Sequence, residues 1–282
     1  MKLIECPRDA MQGIHELIPT EKKVDYINSI LACGFDTVDF GSFVSPKAIP
    51  QMHDTAEVLE QLDLGLGNSN LLAIVANLRG AQDACMFDEI TYLGFPFSIS
   101  ETFQQKNTNS SIEGSLKRVE EIQRLCLKKR KQMVIYISMA FGNPYGEEWN
   151  SDVAIEWTQK LAKLGIKIFA MSDTIGVSDP EKIKYLFSNL IPELPELEIG
   201  AHLHTTPDKW EEKIKAAYES GCLRFDSAIK GFGGCPMATD KLTGNMATED
   251  LLSFLEKKKI VTGIKKKEFE IAMKTALKTF PK

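Results

Sequence analysis

The sequence has little histidine and no closely paired cysteines. It contains four histidines and six cysteines in 282 residues, and no two cysteines have the CxxC spacing of zinc fingers or redox motifs. This pattern excludes a zinc-finger module and a disulfide-stapled scaffold. We interpret the cysteines as free thiols of a protein in a reducing compartment.

Four other features are missing. No apolar run approaches the roughly 20 residues of a membrane-spanning helix, so we expect no membrane partner. No GxGxxG motif follows the first apolar run, which argues against a nucleotide cofactor. The formal net charge of -5 argues against a nucleic-acid partner, because such surfaces are basic. The first apolar run begins at Leu3 and leaves no room for a targeting segment, so we expect a cytoplasmic location.

What the chain does contain is a regular alternation of short apolar runs and longer stretches of helical period. This alternation predicts an α/β fold of parallel strands joined by helices, and eight runs favour a closed (β/α)₈ TIM barrel. We expect one domain over residues 1–282, with an additional C-terminal helix at about 265–282 packed on the barrel. The apolar runs span 2–6, 37–40, 71–76, 89–93, 134–139, 168–171, 197–202 and 224–228. The helical stretches span 20–33, 54–62, 111–129, 151–164, 180–190, 207–220 and 248–258.

Polar side chains cluster directly after the predicted strands. A TIM barrel places its functional residues on the face where the strands end, so these residues are expected to share one face. In chain order they are Arg8, Asp9, Asp39, Asn77, Ser172, Asp173, His202, His204, Cys235 and Asn245.

His202 and His204 form a His-x-His pair at a strand end. Alternate residues of a strand point the same way, so both imidazoles can reach one ion. Asp9 and Asn245 would add oxygen ligands, and this donor set suits Mg²⁺ or Mn²⁺, with Zn²⁺ as a further candidate. The alternative is a pair of locally hydrogen-bonded histidines. The scarcity of histidine and the expected proximity of Asp9 favour the metal site.

Residues 230–238 form a glycine-dense loop that holds Cys235. Glycines allow positive φ and close approach of backbone to a ligand, so the loop is suited to presenting this thiol and Asn245. The alternative is a lid whose cysteine is incidental. Arg8, beside Asp9, is suited to stabilising an oxyanion or binding a carboxylate, and its alternative is a structural salt bridge.

Seven segments in this order resemble the 3-hydroxy-3-methylglutaryl-CoA lyase family, and together they cover nearly the whole chain. They are Cys6-Pro7-Arg8-Asp9, Ser42-Phe43-Val44-Ser45-Pro46-Lys47, Pro50-Gln51-Met52, Ser172-Asp173-Thr174-Ile175-Gly176-Val177, His202-Leu203-His204, Gly233-Gly234-Cys235-Pro236 and Gly244-Asn245-Met246-Ala247-Thr248-Glu249-Asp250. The Gly-Gly-Cys-Pro loop is the most specific of them. Isopropylmalate and homocitrate synthases share the metal motif but not this loop.

The resemblance implies a TIM-barrel lyase that uses a divalent cation and cleaves 3-hydroxy-3-methylglutaryl-CoA, or a close 3-hydroxy-3-alkyl acyl-CoA, to acetoacetate and acetyl-CoA, as in leucine degradation. It also implies a homodimer, with CoA present only as part of the substrate. Under it the cation ligands are Asp9, His202, His204 and Asn245. The catalytic residues are Arg8, Cys235, His202, Asp173 and Asp39, and the substrate contacts are Arg8, Asp39, Ser42 and Asn77.

The chain departs from the family pattern at several positions. Cys6 stands where the family motif usually has glycine, Asp39 where it has glutamate and Thr205 where it has aspartate. Val134 aligns with an arginine. Residues of this kind orient the ligands, so the departures bear on the acyl group more than on the reaction type.

Two other functions are compatible with these residues. A synthase would condense acetyl-CoA with a 2-oxo acid, but Cys235 favours the lyase, and the chain ends soon after the predicted barrel without the regulatory domain of many such synthases. A catalytically degenerate homologue would bind an acyl-CoA without turnover. Product analysis separates these functions.

Overall fold

The barrel predicted from the sequence is present in the computed structural model, which describes residues 1–234 and 243–280. Within these residues eight strands form a closed barrel in which every neighbouring pair is parallel. The strands are β1 Lys2–Glu5, β2 Thr37–Ser42, β3 Asn70–Ile74, β4 Ile90–Ser98, β5 Gln132–Ser138, β6 Ile168–Ser172, β7 Glu198–His202 and β8 Arg224–Ser227. The strand order follows the chain, and β8 closes the barrel on β1.

Helices follow the strands and surround the barrel. They are α1 Pro7–Gln12, α2 Thr20–Leu31, α3 Thr55–Glu60, α4 Leu78–Ala84, α5 Glu101–Thr108, α6 Ile112–Lys129, α7 Ser151–Ala162, α8 Pro180–Glu193, α9 Trp210–Glu219, α10 Thr248–Lys257 and α11 Lys266–Thr279. The sequence did not predict α1, α4 and α5. These helices have only six to eight residues, too few for a helical period, whereas the equally short α3 lies inside the longer predicted stretch 54–62. None of the helices in the described part of the chain is long and apolar enough to cross a membrane.

Two apolar layers hold the barrel together. The larger layer fills the space between strands and helices, where side chains such as Phe95, Phe169 and Phe187 are fully buried. A smaller cluster inside the barrel includes Leu72, Tyr136 and neighbouring side chains. Burial of this apolar surface is the main favourable contribution to folding.

The C-terminal helix packs on the barrel as predicted. Most of its contacts are with α2, and Phe280, directly after α11, meets Tyr26 edge to face at 5.5 Å between ring centroids. Phe280 also stacks on Phe232, in the loop after β8, at 4.3 Å. The end of the described chain therefore contacts the loop that carries candidate site residues.

A short ladder on the carboxyl-end face brings the last loop to the histidine pair. Residues Gly244–Asn245 pair antiparallel with His204–Thr205, and the register places Asn245 opposite His204. Backbone pairing therefore holds Asn245 beside His204, independently of any contact between their side chains.

The side chain of Glu5 is hydrogen-bonded to both ends of the loop after β8. One carboxylate oxygen accepts a hydrogen bond from the Ile229 backbone N–H at 2.8 Å, and the other accepts one from the Thr248 hydroxyl at 2.6 Å. Glu5 is fully buried, and this burial raises its pKa to about 8, although both hydrogen bonds lower it. One carboxylate thus holds the start and the end of a segment of about 20 residues that includes Asn245.

Replacing Glu5 by glutamine should change how stability depends on pH. The raised pKa means that, from about pH 4.5 to about pH 8, the folded state binds a proton that the unfolded chain has lost. The free energy of unfolding contributed by Glu5 therefore falls as pH rises through this window. We expect wild type to lose stability relative to Glu5→Gln between about pH 5 and pH 8 in urea unfolding.

Glu60→Gln is the matched control, because Glu60 is exposed near the end of α3. Its unfolding free energy should follow the wild-type pH profile. Parallel profiles for wild type and Glu5→Gln would contradict the proposed titration of Glu5.

Candidate active site

A cavity of about 430 Å³ opens at the carboxyl ends of the strands. Its lining combines candidate residues from α1 and β7 with apolar side chains. The polar lining includes Arg8, Asp9, Gln12, Lys106, Asn107, Thr108, Ser138, Ser172, Thr174, His202 and His204. The apolar lining includes Val44, Ile49, Ile74, Ala76, Pro96 and Phe103. A small molecule in this cavity would meet both charged groups and hydrocarbon.

Asp9, His202 and His204 converge in the lining of this cavity. One donor atom from each lies within 4.8 Å of the others, which is a spacing that a single cation can draw together. Asn245 adjoins them, because its amide nitrogen donates to Asp9 Oδ2 at 2.7 Å. Its other hydrogen bond in the described chain also uses this nitrogen, and Phe232 O accepts it at 2.8 Å. The amide carbonyl of Asn245 is therefore the atom suited to a cation.

The hydrogen bonds of the two histidines orient their rings as metal ligands require. His202 Nδ1 lies 3.2 Å from Asp226 Oδ2, and His204 Nδ1 lies 3.0 Å from the Thr174 carbonyl oxygen. Both acceptors favour a proton on Nδ1 and leave Nε2 with its lone pair. His204 Nε2 is buried and has no hydrogen-bond partner among the described residues. Because a buried polar atom without a partner is costly, a cation fits here.

The electrostatics of His204 and Asp9 favour the protonation states that bind metals, whereas the pKa of His202 is raised, because its contact with Asp226 outweighs burial. Burial and the neighbouring His202 lower the pKa of His204, which is therefore neutral near pH 7. Burial raises the pKa of Asp9, but Arg8 and then the two histidines outweigh it and hold the value at about 2. A neutral imidazole beside an ionised carboxylate is the form in which these groups coordinate a cation.

Arg8 holds the acidic groups of the site in place. Its Nε lies 3.0 Å from Asp39 Oδ2, and Nη2 donates to the same carboxylate. Its Nη1 donates to Asp9 Oδ1 and to Gln12 Oε1, each at 2.8 Å. Burial alone would lower the pKa of Arg8, but the carboxylates of Asp39 and Asp9 raise it. Conversely, burial raises the pKa of Asp39 to about 6 against the opposing effect of Arg8.

The glycine loop approaches the cluster closely. Gly233 has φ +87°, and a Cβ there would lie 2.7 Å from Asp9 O and 2.8 Å from Asn245 Nδ2. Only glycine combines this backbone conformation with this approach. Gly234 lines the cavity. Cys235, the catalytic candidate that follows it, lies outside the described residues.

Comparisons with known proteins agree with this architecture. The family model described as HMGL-like matches residues 3–275. The chain is 34% identical to the bovine mitochondrial hydroxymethylglutaryl-CoA lyase over 267 residues, which cover 94% of this chain and 81% of the relative.

The chain belongs to the HMGL-like family.

Solved structures of lyases in this family superpose on nearly the whole chain. A hydroxymethylglutaryl-CoA lyase from Pseudomonas aeruginosa has a TM-score of 0.91 and 30% identity and covers 100% of this chain and 93% of its own. An HMG-CoA lyase from Acinetobacter baumannii, in complex with coenzyme A and 3-methylmalate, has a TM-score of 0.89 and 30% identity, with coverage of 98% and 90%. The protein is therefore a lyase of this family with the TIM-barrel fold.

Most candidate residues of the HMGL-like site meet, but three have other surroundings. Asp173 is absent from the cavity lining and is ion-paired with Lys213 at 2.8 Å. Asn77 is exposed, and its Oδ1 accepts a hydrogen bond from Gly80 N–H at 2.9 Å, where it caps α4. Ser42 is buried outside the lining, and its hydroxyl accepts from Val44 N–H at 3.2 Å. The catalytic, substrate-binding and metal-ligand roles of all the candidate residues, including these three, stay predictions.

Four residues with evident roles in this geometry were not singled out from the sequence. Gln12 has a recognisable signal, because it lies one helical turn after Arg8 and Asp9. Asp226 is a charged residue inside an apolar run, which is itself unusual. Tyr136, whose ring meets His202 edge to face at 5.6 Å, gives no sequence signal that separates it from a core tyrosine. Thr174 acts through its backbone carbonyl, which no side-chain pattern reveals.

Asp173→Asn should lower stability strongly, because it leaves the ammonium group of Lys213 buried without its anion. Lys213 is 1% exposed, and removal of one partner from a buried ion pair typically costs about 3–5 kcal/mol. We expect a decrease of that order in the free energy of unfolding, measured with denaturant.

The double variant Asp173→Asn/Lys213→Met should be less destabilised than the sum of the single variants, since it removes both charges. Additive losses would show that the ion pair does not hold this part of the fold. Asp152→Asn, at an exposed position on α7, is the control for a simple change of charge.

Proposed function

We propose that the protein is a divalent-metal-dependent lyase that cleaves 3-hydroxy-3-methylglutaryl-CoA, or a close 3-hydroxy-3-alkyl acyl-CoA, to acetoacetate and acetyl-CoA. The observation that carries the proposal is the meeting of Asp9, His202, His204 and Asn245 beside Arg8 at a partly apolar cavity. Family membership supports the reaction class, and the donor atoms support the cation.

The proposed cation is Mg²⁺ or Mn²⁺, held by Asp9, His202, His204 and Asn245. Carboxylate and amide oxygens suit both ions, and imidazole favours Mn²⁺. When bound, a divalent cation lowers the pKa of a coordinated hydroxyl group and polarises a carbonyl group. The residues of the chain supply orientation, charge and proton transfer around it.

Arg8 is the proposed group that stabilises the enolate formed as the carbon–carbon bond breaks. Its guanidinium is fixed by Asp39, Asp9 and Gln12 before any substrate arrives. A donor that is already oriented loses little energy to reorganisation when negative charge develops beside it. The contact that Asp39 makes with Arg8 therefore supports an indirect role for this carboxylate.

The apolar lining is the proposed contact surface for the alkyl substituent on C3. Ile74, Pro96 and Phe103 line the same cavity as the charged cluster. A lining of this kind favours hydrocarbon and excludes water, which would otherwise protonate the enolate without control. Lys106 and Asn107 on α5 also line the cavity and are the proposed contacts of the polar CoA portion.

Proton transfer is assigned to Cys235, with His202 and Asp173 in support, because the sequence resembles the family at these positions. A thiol with an ordinary pKa of about 8.5 can exchange protons near neutrality when a cation and an arginine lie close by.

We further propose a cytoplasmic homodimer that acts in leucine degradation. The relatives include both a mitochondrial and a cytoplasmic enzyme.

The test is formation of both products from 3-hydroxy-3-methylglutaryl-CoA. EDTA-treated protein should be inactive, and Mg²⁺ or Mn²⁺ should restore acetoacetate and acetyl-CoA in equal amounts. Both products would be quantified by chromatography and mass spectrometry.

Two results would contradict this proposal. Turnover of acetyl-CoA with a 2-oxo acid, and none of the hydroxyacyl-CoA, would establish a synthase. Calorimetric binding of the acyl-CoA without any product would establish a homologue that binds and does not catalyse. A panel of longer 3-alkyl substrates would locate the preferred acyl group if the methyl compound is turned over slowly.

His204→Ala should weaken binding of Mn²⁺ while the barrel stays folded. The variant removes the imidazole whose buried Nε2 lacks a partner among the described residues. Loss of a group that only supports a ligand typically reduces cation affinity about 10–100-fold. Loss of a ligand itself should reduce it at least as much, by roughly two orders of magnitude. Isothermal titration with Mn²⁺ measures this change independently of activity.

His53→Ala is the control variant, because His53 is exposed and remote from the cavity lining. Its Mn²⁺ affinity should equal that of wild type. Unchanged affinity in His204→Ala would remove this residue from the ligand set.

A further inference from the structure

Beside the candidate metal ligands lies a second cluster of donor residues that shares only His202 with them. It consists of Cys6, His202 and Asp226, contributed by the end of β1, the end of β7 and β8. Their donor atoms lie within 4.8 Å of one another, and the exposures of the residues are 1%, 9% and 3%. We call this trio the back cluster, and the group of Asp9, His202, His204 and Asn245 the front cluster.

We propose that the back cluster is a second cation site, selective for soft cations such as Zn²⁺ and Cd²⁺, and that its occupation opposes binding of a cation at the front cluster. The opposition rests on the proposed function of the front cluster. The existence of the second site does not.

The geometry of the back cluster is close to what a cation requires. Bonds of 2.0–2.3 Å to nitrogen, oxygen and sulfur place neighbouring donors about 3.3–3.7 Å apart around a tetrahedral ion. His202 Nδ1 and Asp226 Oδ2 are already 3.2 Å apart. The remaining pairs, at up to 4.8 Å, need a displacement of only about 1 Å.

A second observation comes from atoms that lack partners. Asp226 Oδ1 is buried and accepts no hydrogen bond from any described residue. Arg224 Nε, the nearby cation, lies at 4.0 Å from it, which is an ion-pair distance but not a hydrogen bond. A buried carboxylate oxygen without a donor is costly, so this side chain has capacity for a further positive ligand.

Burial is the main cause that raises the pKa of the Cys6 thiol, and the carboxylates of Asp226, Asp39, Asp9 and Glu5 raise it further. Loss of the thiol proton is therefore favourable only together with a cation that binds the sulfur.

The donor types explain the selectivity between the two clusters. A cysteine thiolate is a soft ligand that favours Zn²⁺ and related ions, whereas the carboxylate and amide of the front cluster favour Mg²⁺ and Mn²⁺. Cys6 stands where the family motif usually has glycine. The second site is therefore a property of this chain and is not expected of relatives with glycine there.

Sharing of His202 makes the two sites antagonistic. A neutral imidazole has one nitrogen with a free lone pair and one that carries a proton. A cation at the back cluster takes Nδ1, the ring proton then sits on Nε2, and the thiol proton of Cys6 passes to solvent. With Nε2 protonated, the ring no longer serves as a ligand of the front cluster.

The first experiment is a Cd²⁺ titration of EDTA-treated protein in a Cys235→Ser background, which removes the thiol of the glycine-dense loop. We expect an ultraviolet thiolate-to-cadmium charge-transfer band that saturates at one ion per chain. Cys6→Ala should abolish the band. Cys126→Ala, at an equally buried cysteine of α6, should retain it.

A second variant keeps the test decisive if Cys6→Ala fails to fold by circular dichroism. Asp226→Asn retains the thiol and should weaken Cd²⁺ binding by about tenfold or more. Absence of the band in the Cys235→Ser background, or its persistence in Cys6→Ala, would overturn the inference. Unchanged affinity in Asp226→Asn would do the same.

Competition separates this inference from the proposed function. Added Mn²⁺ should raise the Cd²⁺ concentration needed for half-saturation of the band, as expected if both ions require His202. A Cys6-dependent band that Mn²⁺ does not affect would support the second site but overturn the antagonism. Lyase activity without any Cys6-dependent band would leave the proposed function intact and exclude the second site.

Discussion

The interaction on which the rest of the site depends is the ion cluster around Arg8. One guanidinium binds the carboxylate of Asp39 in β2 and the carboxylate of Asp9 on α1. Two buried carboxylates this close would repel each other strongly without the cation between them. Arg8 therefore makes it possible for the barrel to bury Asp9 in ionised form, beside imidazoles that are held neutral or oriented by their own partners.

The barrel turns sequence distance into spatial proximity. Asp9 and Asn245 are 236 positions apart and share a hydrogen bond, because β8 returns to β1 and closes the sheet. Glu5 and the short ladder opposite His204 then limit where the last loop can lie. The precision of the site therefore derives from strand closure and from two buried polar anchors, and less from the loop itself.

The sequence predicted the parts of this arrangement that follow from local pattern. Eight apolar runs at regular spacing predicted the barrel, and the His-x-His pair at a strand end predicted two side chains on one face. Helix α1 was missed because its six residues do not complete two turns. Its effect is large, since it sets the helical spacing that joins Arg8 to Gln12.

Long-range pairing was the part that could not be predicted. Asp173 follows β6 as an active-site carboxylate would, yet it pairs with Lys213, which is 40 residues away on α9. The sequence around Asp173 gives no signal that Lys213 is its partner. The role of Asp226 could not be predicted either, because its contact with His202 depends on the register between β7 and β8.

The stack between Phe232 and Phe280 has a consequence for how the protein is made. Phe232 O accepts a hydrogen bond from Asn245, and the ring of the same residue rests on an aromatic side chain beyond α11. During synthesis, the first strand and Arg8 leave the ribosome long before the residue that braces the last loop. Until residue 280 has emerged, the nascent barrel carries its candidate site residues without this support for the last loop. The position of the loop therefore depends on a residue that is synthesised after every strand of the barrel.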